Sequence, residues 1–215
     1  MHTDQTGLQH ALAGARLQVL GGFRVNANDR LPVQSGSLLL VGPDEPAFWP
    51  YFTTSPEYTD GQADPLDRWS RRTLDAIATT AGAVALYPFG GPPYQPFYQW
   101  ALRSRRAWAS PVGFLVHDRT GLFVSYRGAL VVPWVVETNP GICPCDTCAE
   151  KPCQTTCPVG ALTKDGYAVP TCKSYLRTSA GHTCMTMGCA VRRACPIGQD
   201  LRISAQSAFH MDAFL

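Results

Sequence analysis

The sequence predicts an α+β fold in two parts. Over residues 1–137, segments with apolar residues at helical spacing alternate with short apolar or β-branched runs. From residue 138 onward that alternation gives way to a stretch that holds every cysteine of the chain. A length of 215 residues suffices for one domain with a full core and a small appended module. The boundary is expected at Thr138-Asn139-Pro140-Gly141, giving domains 1–137 and 138–215.

Leu8, Leu12, Ala15, Leu17 and Val19 predict a helix over Thr6–Leu20, stopped by Gly21-Gly22. Ser37–Val41 reads as a buried strand ended by Gly42-Pro43. Pro46–Thr53 reads as a helical turn whose aromatics Phe48, Trp49, Tyr51 and Phe52 are expected in the core. Asp64 as N-cap, Pro65 at the first helical position and Gly82 past the end frame a helix carrying Leu66, Trp69, Ile77 and Ala81. Ala83–Tyr87 follows as a buried strand. Phe89-Gly90-Gly91-Pro92-Pro93 must be a loop, because it combines residues free to take positive φ with residues lacking a backbone donor. Pro96–Arg106 returns to helix. Val112–His117, Asp118–Gly121 and Leu122–Val132 read as strand, turn and strand, a hairpin at the centre of the sheet.

Eighteen Lys and Arg stand against 16 Asp and Glu, a formal charge of +2, which argues against a nucleic-acid or anionic-membrane partner. Met1 to Ala15 lacks the apolar core of a secretory leader, and the longest apolar runs, Leu38–Val41 and Ala129–Val136, are strand-sized. A cytoplasmic location without membrane contact is therefore expected. There, nine cysteines stay reduced, which points to thiolate–metal ligation in place of disulfides. None precedes Cys143, whereas cysteines that stapled the whole fold would be spread through it.

Two groups occur: Cys145-x2-Cys148-x4-Cys153-x3-Cys157-Pro158, and Cys172-x11-Cys184-x4-Cys189-x5-Cys195-Pro196. In bacterial-type ferredoxins three cysteines of a short loop wrap one iron–sulfur cubane, and the cysteine before a proline reaches the other cluster. By that pattern one [4Fe–4S] cluster takes Cys145, Cys148, Cys153 and Cys195. A second takes Cys157, Cys172, Cys184 and Cys189, and Cys143 is spare. The x4 spacing in the first group and the stretched second group leave a single cluster, held by the first group and Cys195, as an alternative. Structural zinc is another, although only Cys145/Cys148 forms a zinc-type knuckle.

Cys145–Leu162 (C-D-T-C-A-E-K-P-C-Q-T-T-C-P-V-G-A-L) and Thr171–Leu176 (T-C-K-S-Y-L) resemble the ferredoxin-like module of epoxyqueuosine reductases and reductive dehalogenases. The resemblance implies two [4Fe–4S] clusters that reduce a cobalamin, and it implies a ligand role for Cys172. Ser110–Pro133 is similar to a strand–turn–strand of the cobalamin C processing family, which implies a nitroreductase-like three-layer α/β domain over 1–137 able to cradle cobalamin. The carboxylate that serves as proton donor in epoxyqueuosine reductases has no counterpart at Tyr87-Pro88-Phe89, and their helical-repeat extension is missing.

Three residues of the Ser110–Pro133 segment are candidates for cofactor binding. Arg127 matches the arginine of the cobalamin C segment and suits an anionic group; a salt bridge is its alternative role. His117 suits a proton donor or lower cobalt ligand, or a turn hydrogen-bonder. Tyr126, like Tyr87, offers a phenolic proton, or packs in the core. Phe89–Tyr94 is the expected pocket rim, and Arg192-Arg193 reads as a docking patch for an acidic electron donor or as a solvated helix face. No catalytic residue is identifiable. The expected function is a redox protein that passes electrons to a cofactor or small-molecule substrate. The alternatives are a ferredoxin-like carrier for a partner enzyme and a cobalamin-binding or trafficking protein.

Overall fold

A computed structural model describes residues 5–29, 31–201 and 203–215, so that residues 1–4 of the segment read for a leader lie outside the described residues. The fold is mixed α+β with small antiparallel sheets. It divides into two compact units, one formed by residues up to Arg106 together with Ser125–Pro140, the other by Ala107–Val124 with Gly141–Leu215. Residues 107–124 thus pack with the cysteines, not with the remainder of 1–137.

In the first unit α1 spans only Gln5–Gly14, burying Leu8 and Leu12. The expected helix to Leu20 is cut short: Arg16 takes a left-handed φ of 54°, and Leu17–Val25 becomes strand β1. The Gly21-Gly22 doublet therefore lies inside a strand. A Cβ there would come within 2.8 Å of Ser104 Oγ at Gly21 and 2.6 Å of the Leu38 carbonyl at Gly22. The pairing register slips beside it, between Val19 and Gly21. These glycines mark a bulge and a close approach, two uses that a helix stop resembles in sequence.

β2 (Gly36–Pro43) is buried throughout. The helices α2 (Phe48–Phe52), α3 (Pro56–Thr59) and α4 (Pro65–Ala81) follow. Phe48 and Phe52 are fully buried and meet Trp69 of α4 edge-on at 5.3 and 5.9 Å, whereas Tyr51 is exposed. Asp64 stands at the N-cap of α4, but its φ is 51° and its carboxylate makes no capping bond. Pro65 starts the helix and Gly82, also left-handed, ends it. Strand β3 (Val84–Leu86) pairs only with β6 and is half-exposed, so it is an edge and not the buried strand expected. After α5 (Phe97–Arg103) come β4 (Ala107–Ala109), β5 (Leu115–His117) and β6 (Gly128–Val132). The first unit's sheet runs β1-β2-β6-β3, antiparallel throughout, with β2 and β6 buried at its centre.

The expected hairpin over 112–132 does not form. β5 pairs with β4, one bridge joins His117 to Gly121, and β6 belongs to the first unit's sheet. The apolar run from Leu122 to Val132 serves two cores: Leu122 buries among the cysteines, and Gly128–Val132 buries in the sheet. Periodicity carries no mark of that division.

The second unit adds α6 (Pro144–Thr147), the short pair β7 (Leu162–Thr163) and β8 (Gly166–Tyr167), then α7 (Val169–Leu176), α8 (His182–Met187), α9 (Ala190–Ala194) and α10 (Ser204–Phe214). No helix among the described residues is long and apolar enough to cross a membrane.

Within the first unit an ion pair between buried Glu57 and exposed Arg72 ties α3 to α4. Arg72 grips Glu57 with two bonds, Nε to Oε1 and Nη2 to Oε2, the latter at 2.9 Å. These bonds hold the Glu57 carboxyl below the usual range. A lowered folded pKa contributes stability above the unfolded value, about 4.3, which is lost as pH falls through the folded value. Because Arg72 is more than half exposed, Glu57→Gln is expected to cost only about 1 kcal/mol at pH 7. Urea titrations should show that difference at pH 7 and a much smaller one at about pH 3. An equal difference at both would contradict the assignment.

Candidate metal centre

Two local devices bring the first cysteine group together. Pro144 opens α6, which carries Cys145 and ends at Cys148. Lys151 then takes a left-handed φ of 40°, and a 3-10 turn over Pro152–Gln154 buries Cys153. The fourth member comes from far along the chain, where Cys195 ends α9. Cys145, Cys148, Cys153 and Cys195 line one pocket enclosing about 360 Å³, part of it open to solvent. Val116, Leu122 and Ile197 give it apolar walls, and Lys151 adds a charge at its side. These are the four cysteines that the ferredoxin pattern assigns to one cluster. Cys143 stands at the N-cap of α6, two residues before Cys145. Among the described residues no three Cys, His, Asp or Glu side chains converge closely enough to grip a single metal ion.

The second group is looser. Cys172 lies on α7, Cys184 is buried on α8, and Cys189 stands at the head of α9. Tyr167 lies in the same region, and burial raises its phenol above the usual range. Cys189 and Cys184 interact electrostatically. Cys157 packs against the same buried cluster as Cys189, and its Sγ accepts the backbone N–H of Ala161 at 3.2 Å. α10 covers this end of the unit, placing Met211 and Phe214 against Leu176, Cys184 and Ala190.

Burial dominates the electrostatics. It pushes the Cys145 thiol up to about 12, with Cys143, Cys153 and Cys195 adding to the shift, and it raises Cys153 and Cys189 as well. A bare cluster of thiolates here would be both desolvated and self-repelling. Were a cation to stand among the sulfurs, they would become anionic, and its uptake would release protons.

Among the cofactor-binding candidates, Arg127 and Tyr126 fall in the first unit and His117 in the second. The Arg127 guanidinium is largely buried and ion-paired to Asp67 at 3.5 Å, while its Nε has no hydrogen-bond partner. Tyr126 is buried. His117 is wholly buried, and its Nδ1 receives the backbone N–H groups of Arg119 and Thr120 at 3.1 and 3.4 Å. It therefore organises its own turn. Tyr87 donates to Asp75 at 2.6 Å and lies under Arg71. Arg192, of the Arg192-Arg193 pair, is partly buried; it donates to the Leu122 carbonyl at 2.7 Å and stacks 4.6 Å from the Phe114 ring centre.

Sequence reasoning missed Gly121, Tyr167 and Phe114. The Asp-Arg-Thr-Gly turn signal was visible, but its partner was not. Gly121 takes a φ of 58°, and a Cβ there would stand 2.4 Å from the Ile197 carbonyl and 3.0 Å from Cys195 Sγ. At Gly198, φ 69°, a Cβ would stand 2.9 Å from the Arg119 carbonyl and 3.0 Å from Thr120. The turn is thus seated on the segment that delivers Cys195.

Gly160 has almost the same φ, 59°, in open space, and so separates strain from collision. Gly160→Ala is expected to cost about 1 kcal/mol and Gly121→Ala at least about 2 kcal/mol more in thermal denaturation. Equal losses would show that the turn does not press on Cys195. No protein-family model and no curated protein sequence matches this chain, and the site is described by its own geometry alone.

Proposed function

We propose that the protein is a redox protein whose second unit holds two [4Fe–4S] clusters, one on Cys145, Cys148, Cys153 and Cys195, the other on Cys157, Cys172, Cys184 and Cys189. The observation that carries the reading is the convergence of four thiols, three local and one distant, on one apolar-walled pocket. A short loop can reach only part of a cubane, so a distant cysteine must complete it. An all-sulfur donor set suits iron–sulfur chemistry better than it suits hard cations.

When bound, such clusters supply one-electron storage. The chain contributes orientation, exclusion of water and electrostatic tuning. Val116, Leu122 and Ile197 give the first site apolar walls, and the Ala161 N–H withdraws charge from Cys157 Sγ. The electron passes to a redox partner or to a cofactor in the first unit. Cobalamin is the acceptor suggested by resemblance.

Anaerobic reconstitution with ferrous iron and sulfide tests the proposal. A brown protein with about eight irons per chain is expected, and Cys195→Ala should lose about half of them. A colourless, zinc-containing protein would overturn it. A base-off cobalamin spectrum on titration favours the reductase or trafficking role, and an unchanged spectrum favours the carrier.

A further inference from the structure

Helix α10 lies over the second cysteine group and is attached there at few points. Its single buried residue is Ser207. That residue seats on Gly188, just before Cys189, where a Cβ would stand 2.9 Å from the Ser207 side chain and where φ is 86°. Toward the other end of the helix, Met211, Phe214 and Leu215 are half-buried and pack against Leu176 and Cys184, which are 4% and 7% exposed. The Phe214 ring stacks on Tyr167 at 6.0 Å and 14°, and the Lys173 ammonium lies 5.0 Å from its centre. Lys173 Nζ and Arg177 Nη2 both donate to the main-chain oxygen of Leu215, at 3.4 and 3.3 Å. These two cations stand on α7 and at its C-cap, so the helix that carries Cys172 is the one that holds α10 down.

The lead-in to α10 is lighter. Gly198 is fixed by its close fit against Arg119 and Thr120. Beyond it come a 3-10 turn over Gln199–Leu201 with no buried residue, and Ile203, an extended N-cap that gives α10 no side-chain hydrogen bond. An element with one buried residue, and with its apolar contacts gathered in its last two turns, opens locally at a free energy well below that of unfolding the whole unit. The first site stands differently, because its pocket is partly open to solvent.

We propose that α10 is a lid over the Cys172/Cys184 end of the second site, hinged at Ile203 and latched where Tyr167, Lys173 and Arg177 hold Phe214 and Leu215. The inference rests on the two-cluster reading above and adds to it a device for entry. Closed, the lid keeps solvent from the second cluster. Lifted, it opens the way by which iron and sulfide reach the thiols. Iron therefore leaves the two sites at different rates, directly from the first and only through the opening of α10 from the second.

The test is iron release from the reconstituted protein, kept anaerobic, to excess of the ferrous chelator bathophenanthroline disulfonate, with hydrogen exchange of the α10 amides measured alongside. Wild type is expected to release its iron in two phases of about half each. Phe214→Ala should speed one phase by about tenfold and Lys173→Gln by about threefold, with α10 exchange rising in step and the other phase unmoved. Asp212→Asn, on the exposed side of the helix, should match wild type. A single phase in wild type would overturn the lid, as would equal acceleration of both phases or faster release with α10 exchange unchanged. So would a wild-type rate in Phe214→Ala. If Phe214→Ala takes up no iron, Lys173→Gln decides by the same criteria. A wild-type protein holding only about four irons would overturn the two-cluster reading instead. The lid is then read on the Cys184 thiol itself: faster alkylation by iodoacetamide in Phe214→Ala supports it, and equal rates overturn it.

Discussion

The second unit depends on one packing constraint: its cysteines are also its core. Val112, Val116, Leu122, Leu162 and Val191 bury around Cys153 and Cys195, with Cys145, Cys157 and Cys189 against them. A module with strands of two or three residues has little other apolar volume to assemble. Whatever stands among those sulfurs therefore bears on folding as well as on chemistry. This explains why residues 107–124 are drafted into the unit: Val112, Val116 and Leu122 supply the hydrophobic wall that the cysteine segments lack.

Charge follows from the same burial. Thiols forced from water remain protonated. The first unit resolves its buried charges internally, through Glu57 with Arg72 and Asp67 with Arg127. The contrast concerns what each core is built around: paired and apolar side chains in the first unit, and buried cysteine sulfurs in the second.

Close backbone approach is the recurrent means of positioning. Gly21 and Gly22 let β1 lie against its neighbours, and Gly121 lets a turn press on the Cys195 segment. In both places a methyl group would collide with atoms that have little freedom to move. The aromatic nest of Phe48, Phe52 and Trp69 does the complementary work in the first unit, filling volume between short helices and α4.

The sequence by itself determined the features that depend on near neighbours. The α4 boundaries follow from Pro65 and Gly82, β2 from an unbroken apolar run, and the grouping of all cysteines after residue 142 from their positions alone. Spacing also proposed Cys195 as companion to Cys145, Cys148 and Cys153, because the geometry of a cubane demands a distant ligand. Tertiary structure alone decided where equal local patterns part. The apolar stretch after Arg16 became strand, not helix, because it pairs with β2. The run from Leu122 to Val132 was divided between two cores. Arg192, polar and beside another arginine, was turned inward by Phe114 and the Leu122 carbonyl. Each of these outcomes is set by partners far away in the chain, and no local period of hydrophobicity or charge encodes which partner will be there.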